Sequence, residues 1–103
     1  MVKVLVTGGS GFIGKEIVKE LLEQGFEVQV LDQSRGTIPG VRYFLGSVLD
    51  AEAISKAMLG CEYVIHLAAI LGVSKSAYEP AECLDVNILG TRNVLRCCVV
   101  HHV

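Results

Sequence analysis

The chain has 103 residues, of which 51% are hydrophobic and 19% charged, and its net charge at pH 7 is -2. This length predicts about one small domain, and the high apolar content excludes a disordered chain. Without a basic surplus we expect no nucleic acid or anionic membrane surface as a partner, and no apolar run reaches the ~18 residues of a membrane-spanning helix.

The N-terminal segment predicts a strand, a glycine-rich turn and a helix in direct succession. Val2–Val6 is an apolar, β-branched run typical of a central parallel strand, and Phe12–Gln24 carries apolar residues at helical spacing. Residues 7–14 at their junction read TGGSGFIG, which satisfies both G-x-G-x-x-G and G-x-x-G-x-x-G. Such a turn presents backbone N–H groups and a helix N-terminus to a phosphate. We therefore predict a dinucleotide site, rather than a simple turn of small residues, formed by Gly8, Gly11, Phe12, Ile13 and Gly14.

Asp32 ends the second predicted strand, Glu27–Leu31, and lies 18 residues after Gly14. This is close to the ~20 residues expected for an acid that accepts hydrogen bonds from an adenosine ribose. A solvated turn aspartate is the alternative, which the register with the glycine turn disfavours. Because a carboxylate repels a 2′-phosphate, NAD is predicted in preference to NADP. Arg35 could reach such a phosphate, so NADP or dual use stays open.

The remainder of the chain continues the alternation of strands and helices. The predicted elements are a loop at Gln33–Gly40, a strand at Val41–Phe44, a helix from Ala51 to Met58 capped by Asp50 and stopped by Gly60, a strand at Glu62–Leu67, an irregular stretch at Ala68–Glu79 and a last helix from Pro80. Right-handed crossovers then predict a Rossmann-like, doubly wound α/β fold with a parallel sheet in the order 3-2-1-4.

The last predicted helix carries one apolar stripe, and Gly90 lies on its shoulder. The stripe consists of Leu84, Ile88, Thr91, Leu95 and Cys98. A glycine in a helix costs about 1 kcal/mol relative to alanine, so Gly90 predicts a close packing contact. The chain ends where a fifth strand is expected. We therefore expect residues 1–103 to be the N-terminal part of a dinucleotide-binding domain, truncated after about four strands, without the fifth strand or a substrate domain.

Four blocks of the sequence together resemble the extended short-chain dehydrogenase/reductase superfamily, in particular its NAD-dependent epimerase/dehydratase family. TGGSGFIG resembles the cofactor loop of that family, and Asp32 resembles its ribose-binding acid. VIHLAA at 64–69 is similar to the block that lines the nicotinamide-side ribose. DVNILGTRNVL at 85–95 is similar to the helix signature N-x-x-G-T-x-N-x-L. The resemblance covers essentially the whole chain.

This resemblance implies further cofactor contacts. The adenine is expected near Ser47 and Val48, although the family usually has Asp where this chain has Ser47. The nicotinamide-side ribose is expected at Leu67, Ala68 and Ala69. Asn87 resembles the active-site asparagine, for which a helix-to-loop hydrogen bond is the structural alternative. Substrate contacts are expected, on weaker grounds, from Ser74, Ser76 and Tyr78.

His66 and the four cysteines invite chemical roles that their positions disfavour. Histidine titrates near neutrality, but a buried strand predicts a hydrogen-bonded core histidine at this position. The cysteines (Cys61, Cys83, Cys97 and Cys98) show no C-x-x-C spacing and are interpreted as small hydrophobic residues in a reducing cytoplasm. No metal site is predicted.

The resemblance also implies what this chain lacks. In the family, a Ser or Thr and a Tyr-x-x-x-Lys pair transfer the proton, and they follow the point where this chain ends. None of Tyr43, Tyr63 and Tyr78 has a lysine four residues on. We therefore expect the NAD-binding portion of a cytoplasmic nucleotide-sugar epimerase or dehydratase, inactive alone. A non-catalytic NAD(P)-sensing module and an NAD(P)-dependent reductase of another extended subfamily are the alternatives. The open edge of the fourth strand and the apolar stripe predict a homo-oligomer.

Overall fold

The computed structural model describes residues 1–68 and 80–103. Within these residues, four strands and four helices follow one another, with a π-helical turn between the last two helices. They are β1 (Lys3–Thr7), α1 (Phe12–Glu23), β2 (Glu27–Asp32), β3 (Arg42–Leu45), α2 (Ala51–Met58), β4 (Tyr63–His66), α3 (Pro80–Leu84), the π-helical turn (Asp85–Leu89) and α4 (Gly90–His101). The predicted α/β order is confirmed, with most element boundaries shifted by one residue. The predicted irregular stretch beyond Ala68 lies outside the described residues.

The four strands form one parallel sheet in the order β3-β2-β1-β4, as predicted. Thr7, the last residue of β1, is paired with Leu31 on one side and His66 on the other. Asp32 follows Leu31 directly and ends β2. Because parallel strands bring their carboxyl ends to one edge, residues far apart in sequence meet there. The sheet therefore places the glycine turn, Asp32 and His66 along the same edge.

The sheet is covered on both faces, which explains the valine-rich strands. On one face α1 packs Val18 against alternate residues of β1 and β2, among them Val6 and Val30. On the other face α2 and α4 pack around Leu5 and Leu31, with Ile54, Met58 and Val94. Each of these large side chains contributes about 1.5–3 kcal/mol by leaving water. The glycine turn lies close against the α1 layer, since a Cβ at Gly9 would lie 2.7 Å from the side chain of Val30.

The last helical segment differs from its prediction. The predicted stripe is largely uncovered, with Leu95 61% exposed, whereas the buried residues of α4 are Gly90, Val94 and Cys97. Ile88 is also exposed (58%), and the side chain of Leu84 lies outside the described structure. The π-helical turn holds about one more residue per turn than an α-helix. If one α-helical period is extended through this turn, the positions assigned to each face of α4 are therefore displaced by about one residue.

Gly90 fulfils its predicted packing role. A Cβ at this position would overlap the side chain of Val48, so α4 can approach the segment after β3 only with glycine there. This contact joins the last helix to a segment that carries two of the predicted cofactor-binding residues, Ser47 and Val48.

Two of the four cysteines are buried in the fold, as the sequence predicts, whereas Cys83 and Cys98 are only partly buried. Cys61 and Cys97 are buried, and burial raises the pKa of the Cys61 thiol to about 11. Both are therefore protonated, hydrophobic side chains at neutral pH. Within the described part of the chain, no helix has the length and apolarity that crossing a bilayer requires.

Candidate dinucleotide-binding site

A cavity of about 750 Å³ opens at the carboxyl edge of the sheet. This volume falls within the ~300–1,000 Å³ of typical small-molecule sites. The predicted residues that line it are Gly8, Gly11, Phe12, Ile13, Gly14, Asp32, Ser47, Val48, Leu67 and Ala68. The fold thus gathers residues from four separate stretches of sequence around one space.

The glycine turn is shaped by two close approaches of backbone to backbone. Gly8 has a φ of 74°, and a Cβ there would lie 2.8 Å from the nitrogen of Ala68. A Cβ at Gly14 would overlap the carbonyl oxygen of Gly8. Gly11 is the N-cap of α1 and supplies no side-chain hydrogen bond to the first turn. The N–H groups at the start of α1 therefore have no capping side chain, which suits an anionic ligand.

Asp32 is oriented by two backbone donors. Its Oδ2 accepts a hydrogen bond from the Ser10 N–H (3.1 Å) and its Oδ1 one from the Ser34 N–H (3.0 Å). An ionised carboxylate has about four acceptor positions. Two positions thus remain for hydroxyl donors in the cavity. The first bond also ties the end of β2 to the glycine turn, so the acid and the turn have a fixed relative position.

Ser47 and Val48 form the rim opposite the glycine turn. The Ser47 Oγ accepts from the Leu49 N–H (3.1 Å), which directs this hydroxyl towards its own backbone. The Val48 carbonyl accepts from Asn93 Nδ2 (3.0 Å), so α4 fixes the rim. Asn93 belongs to the helix signature at 85–95, but the sequence assigned it no role. Asn93 could have been singled out because it belongs to this motif, but only the fold shows that its partner is the Val48 carbonyl.

His66 is hydrogen-bonded, as predicted, but it is only partly buried and lines the cavity rather than the core. Its Nδ1 lies 2.6 Å from Thr7 Oγ1 and its Nε2 lies 3.0 Å from Thr91 Oγ1. Burial lowers the pKa of its imidazole below the ordinary value. The ring is therefore neutral at physiological pH and joins β1 to α4.

The structure places two predicted residues, Arg35 and Asn87, outside the described cavity lining. Arg35 is exposed on the loop after β2 and is not among the described residues around the cavity. Asn87 is exposed on the π-helical turn, where its carbonyl accepts from Thr91 Oγ1 (2.8 Å), and it is likewise absent from the described lining. Ala69 lies outside the described residues, as do Ser74, Ser76 and Tyr78.

Sequence reasoning missed several lining residues. They are Leu31, Gln33, Gly46, Glu82 and Val86, to which His66 is added as a cavity residue. The first three are sequence neighbours of predicted residues, so they could have been found by extending those predictions by one position. Glu82 and Val86 come from the segment around the π-helical turn, whose phase the sequence does not reveal.

The chemistry of the cavity fits a dinucleotide. A backbone cradle that a Cβ would fill, an acid with free acceptor positions and apolar walls suit a pyrophosphate, a ribose and a ring system respectively. Among residues 1–68 and 80–103, no group of three His, Cys, Asp or Glu side chains could hold a metal ion.

The parallel sheet order and the glycine turn between β1 and α1 define a Rossmann-like α/β fold. The sequence profile of the NAD dependent epimerase/dehydratase family matches residues 4–103. The chain belongs to this family.

Individual relatives agree with this assignment. The chain is 38% identical over 106 aligned residues to a UDP-N-acetylglucosamine 4,6-dehydratase (inverting) of Campylobacter jejuni, with 92% of this chain and 32% of that protein covered. It is 34% identical over 100 residues to a 3-beta-hydroxysteroid dehydrogenase of Mycolicibacterium neoaurum (90% of this chain, 27% of that protein). The crystal structure of Thermus thermophilus UDP-glucose 4-epimerase in complex with NAD superposes with a TM-score of 0.90 at 38% identity, covering 99% of this chain and 35% of that one. The chain thus spans about a third of the length of these relatives.

Proposed function

We propose that the cavity binds NAD and that the chain is the cofactor-binding portion of a nucleotide-sugar epimerase or dehydratase. The orientation of Asp32 carries this proposal, because two backbone N–H groups aim its carboxylate into the cavity beside the glycine turn. The Thermus epimerase in complex with NAD supports the cofactor, and the UDP-sugar dehydratase of Campylobacter supports the substrate class.

Each group of cavity residues has a distinct task in this proposal. The N–H groups from Gly8 to Gly14 hold the pyrophosphate, and Asp32 accepts from the adenosine ribose hydroxyls. Ser47 and Val48 lie against the adenine, whereas Leu67, Ala68 and Ala69 line the nicotinamide-side ribose, and Asn87 supports the active-site geometry. When bound, NAD supplies a hydride acceptor for a sugar carbon and returns the hydride later.

The 103 residues carry no Tyr-x-x-x-Lys pair, so we propose that this chain alone moves no proton from substrate. Incubation of the purified chain with NAD and a UDP-sugar should leave the sugar unchanged by NMR. Detectable epimerisation or dehydration would contradict this part of the proposal. We further propose a cytoplasmic homo-oligomer, and the exposed Leu95, Val99 and Val100 on α4 support the self-association.

Replacement of Asp32 tests the cofactor site. Asp32→Asn keeps the shape but removes the charge, and hydrogen bonds to charged groups contribute about 1.5–3 kcal/mol. We expect the Kd for NAD to rise about ten- to a hundredfold in calorimetric titration. Glu27→Gln, at the exposed opposite end of the same strand, is the matched control and should bind like the wild type. Equal affinity of Asp32→Asn and wild type would remove Asp32 from the site.

The second candidate is an NAD(P)-dependent reductase of another extended subfamily, which the 34% identity to the steroid dehydrogenase favours. A third candidate is a cofactor-sensing module without chemistry. Reductases release the reduced or oxidised cofactor, whereas epimerases regenerate it in place. A full-length protein that changes the 340 nm absorbance of added cofactor with a hydroxysteroid, but not with a UDP-sugar, would establish the reductase, and one that binds NAD without turnover would establish the sensor.

A further inference from the structure

The protonation state of His66 follows from the hydrogen bonds at its Nε2. The hydroxyl of Thr91 has one proton, and it donates this proton to the carbonyl oxygen of Asn87 at 2.8 Å. Towards His66 the same oxygen can only accept, and the Nε2–Oγ1 distance is 3.0 Å. Nε2 must therefore carry the proton. In the neutral ring, Nδ1 is then an acceptor.

The partner of Nδ1 is equally constrained. Thr7 Oγ1 lies 2.6 Å from Nδ1 and accepts from the N–H groups of Leu67 (3.0 Å) and Ala68 (3.2 Å). Its two acceptor positions are filled, so its single proton is directed to Nδ1. Both ends of the ring thus independently give the same tautomer, with every donor and acceptor matched.

A second proton on His66 breaks this match. An Nδ1–H group would compete with Leu67 and Ala68 for the acceptor positions of Thr7, and the Thr7 proton would lose its acceptor. Thr7 is fully buried, so water cannot replace the lost partners. The Leu67 N–H also bonds the Thr7 carbonyl (3.0 Å) and keeps one partner. Ala68 is the residue that is released.

Ala68 lies at the contact between the end of β4 and the glycine turn. A Cβ on Gly8 would lie 2.8 Å from the Ala68 nitrogen, and both residues line the cavity. Movement of Ala68 therefore changes the space beside Gly8. Through Thr7, the state of the His66 ring is coupled to the shape of the candidate site.

We propose that His66 is a positioning residue that holds Ala68 and the glycine turn in their binding geometry only while its ring is neutral, so that protonation weakens cofactor binding. The last step depends on the proposed function, whereas the coupling of His66 to Ala68 does not.

The charges around His66 leave burial as the dominant influence. The elements packed against β4 are β1, which carries Lys3, and α4, which carries Arg92, Arg96 and His101; Asp32 and Glu82 line the same cavity. Burial lowers the pKa of the His66 imidazole, and no charged group in the described ranges contributes to that shift. The neutral state therefore stabilises the fold above the ordinary pKa of about 6.5, and this contribution is lost as the pH falls through the lower pKa of the folded state.

Nitrogen-15 NMR of the histidine rings in the 103-residue chain tests the network without any cofactor. At pH 7.5 we expect His66 in the Nε2–H form, and the amide signal of Ala68 should shift with the pKa of the ring. His102 is exposed, and its ring signals serve as an internal reference. An Nδ1–H tautomer would overturn the proposal, and so would an Ala68 amide signal that stays unchanged while His66 titrates.

Titration with NAD against pH tests the coupling to binding. His66→Asn retains an acceptor for Thr7 but does not titrate. The ratio of wild-type Kd to His66→Asn Kd should rise as the pH falls through the ring pKa measured by NMR, by at most about tenfold per pH unit for one proton. His102→Asn, in the left-handed C-cap where Asn is tolerated, is the matched control and should follow the wild type.

The outcomes of this titration separate the two proposals. A constant ratio while NAD binds would overturn the coupling, and the proposed function would stand. Absence of NAD binding by the wild type and every variant at any pH would overturn the proposed function and the last step with it. The His66–Ala68 network would then be decided by the NMR measurement alone.

Discussion

The two polar corners of the cavity, at Asp32 and at His66, show how one sheet edge serves two purposes. Asp32 has two backbone donors and spare acceptor positions, so it can receive hydroxyl groups from a ligand. His66 has a partner on each ring nitrogen and a fixed tautomer, so it has nothing to offer a ligand at neutral pH. An incompletely bonded polar group suits recognition, whereas a fully bonded one suits positioning.

Gly14→Ala should break both corners at once and have the largest effect. The added Cβ would overlap the Gly8 carbonyl oxygen, a backbone atom that cannot move away by a side-chain rotation. We expect more than a hundredfold loss of NAD affinity and destabilisation by about 1–3 kcal/mol.

Urea unfolding and calorimetric titration measure the two effects of Gly14→Ala. Gly25→Asn, at a left-handed turn with open space around it, is the control and should preserve both quantities. Wild-type affinity in Gly14→Ala would show that the close approach at Gly14 does not shape the site.

Thr7→Val should damage the His66 corner and leave the Asp32 corner intact. It deprives Nδ1 of its donor and Ala68 of its acceptor at nearly constant volume, so we expect destabilisation by about 1–3 kcal/mol. The unfolding free energy from urea denaturation checks this, with the exposed Thr37→Val as control. If both variants were equally stable, the Thr7 hydroxyl would be dispensable.

Arg35→Ala should have the smallest effect and sharpens the description of the Asp32 corner. Arg35 is exposed and outside the described cavity lining, so NAD affinity should change by less than about twofold. If Arg35 reaches a 2′-phosphate, NADP affinity alone will fall. Parallel titrations with the two cofactors distinguish these results, and a large fall in NAD affinity would contradict the exposed position.

The sequence predicted the Asp32 corner better than the His66 corner for a physical reason. The glycine turn, the end of β2 and the N-cap at Asp50 depend on local backbone preferences and short spacings, and Asp50 indeed accepts from the Glu52 and Ala53 N–H groups. The bonds of His66 join residues 59 and 25 positions away. Such partners depend on strand register and helix phase, and the π-helical turn altered that phase for α4.

By itself, the sequence determined the order of elements, the parallel sheet and the glycine turn with its acid, because alternating periodicity, β-branched runs and turn glycines constrain the local backbone. The tertiary structure alone decided which face of α4 is buried, that Asn93 fixes the Val48 rim, that Arg35 lies outside the described cavity lining and that His66 is neutral with its proton on Nε2. These features depend on contacts between segments that are distant in sequence. The tautomer of His66, in particular, can be assigned only when the hydrogen-bond partners of both ring nitrogens are known.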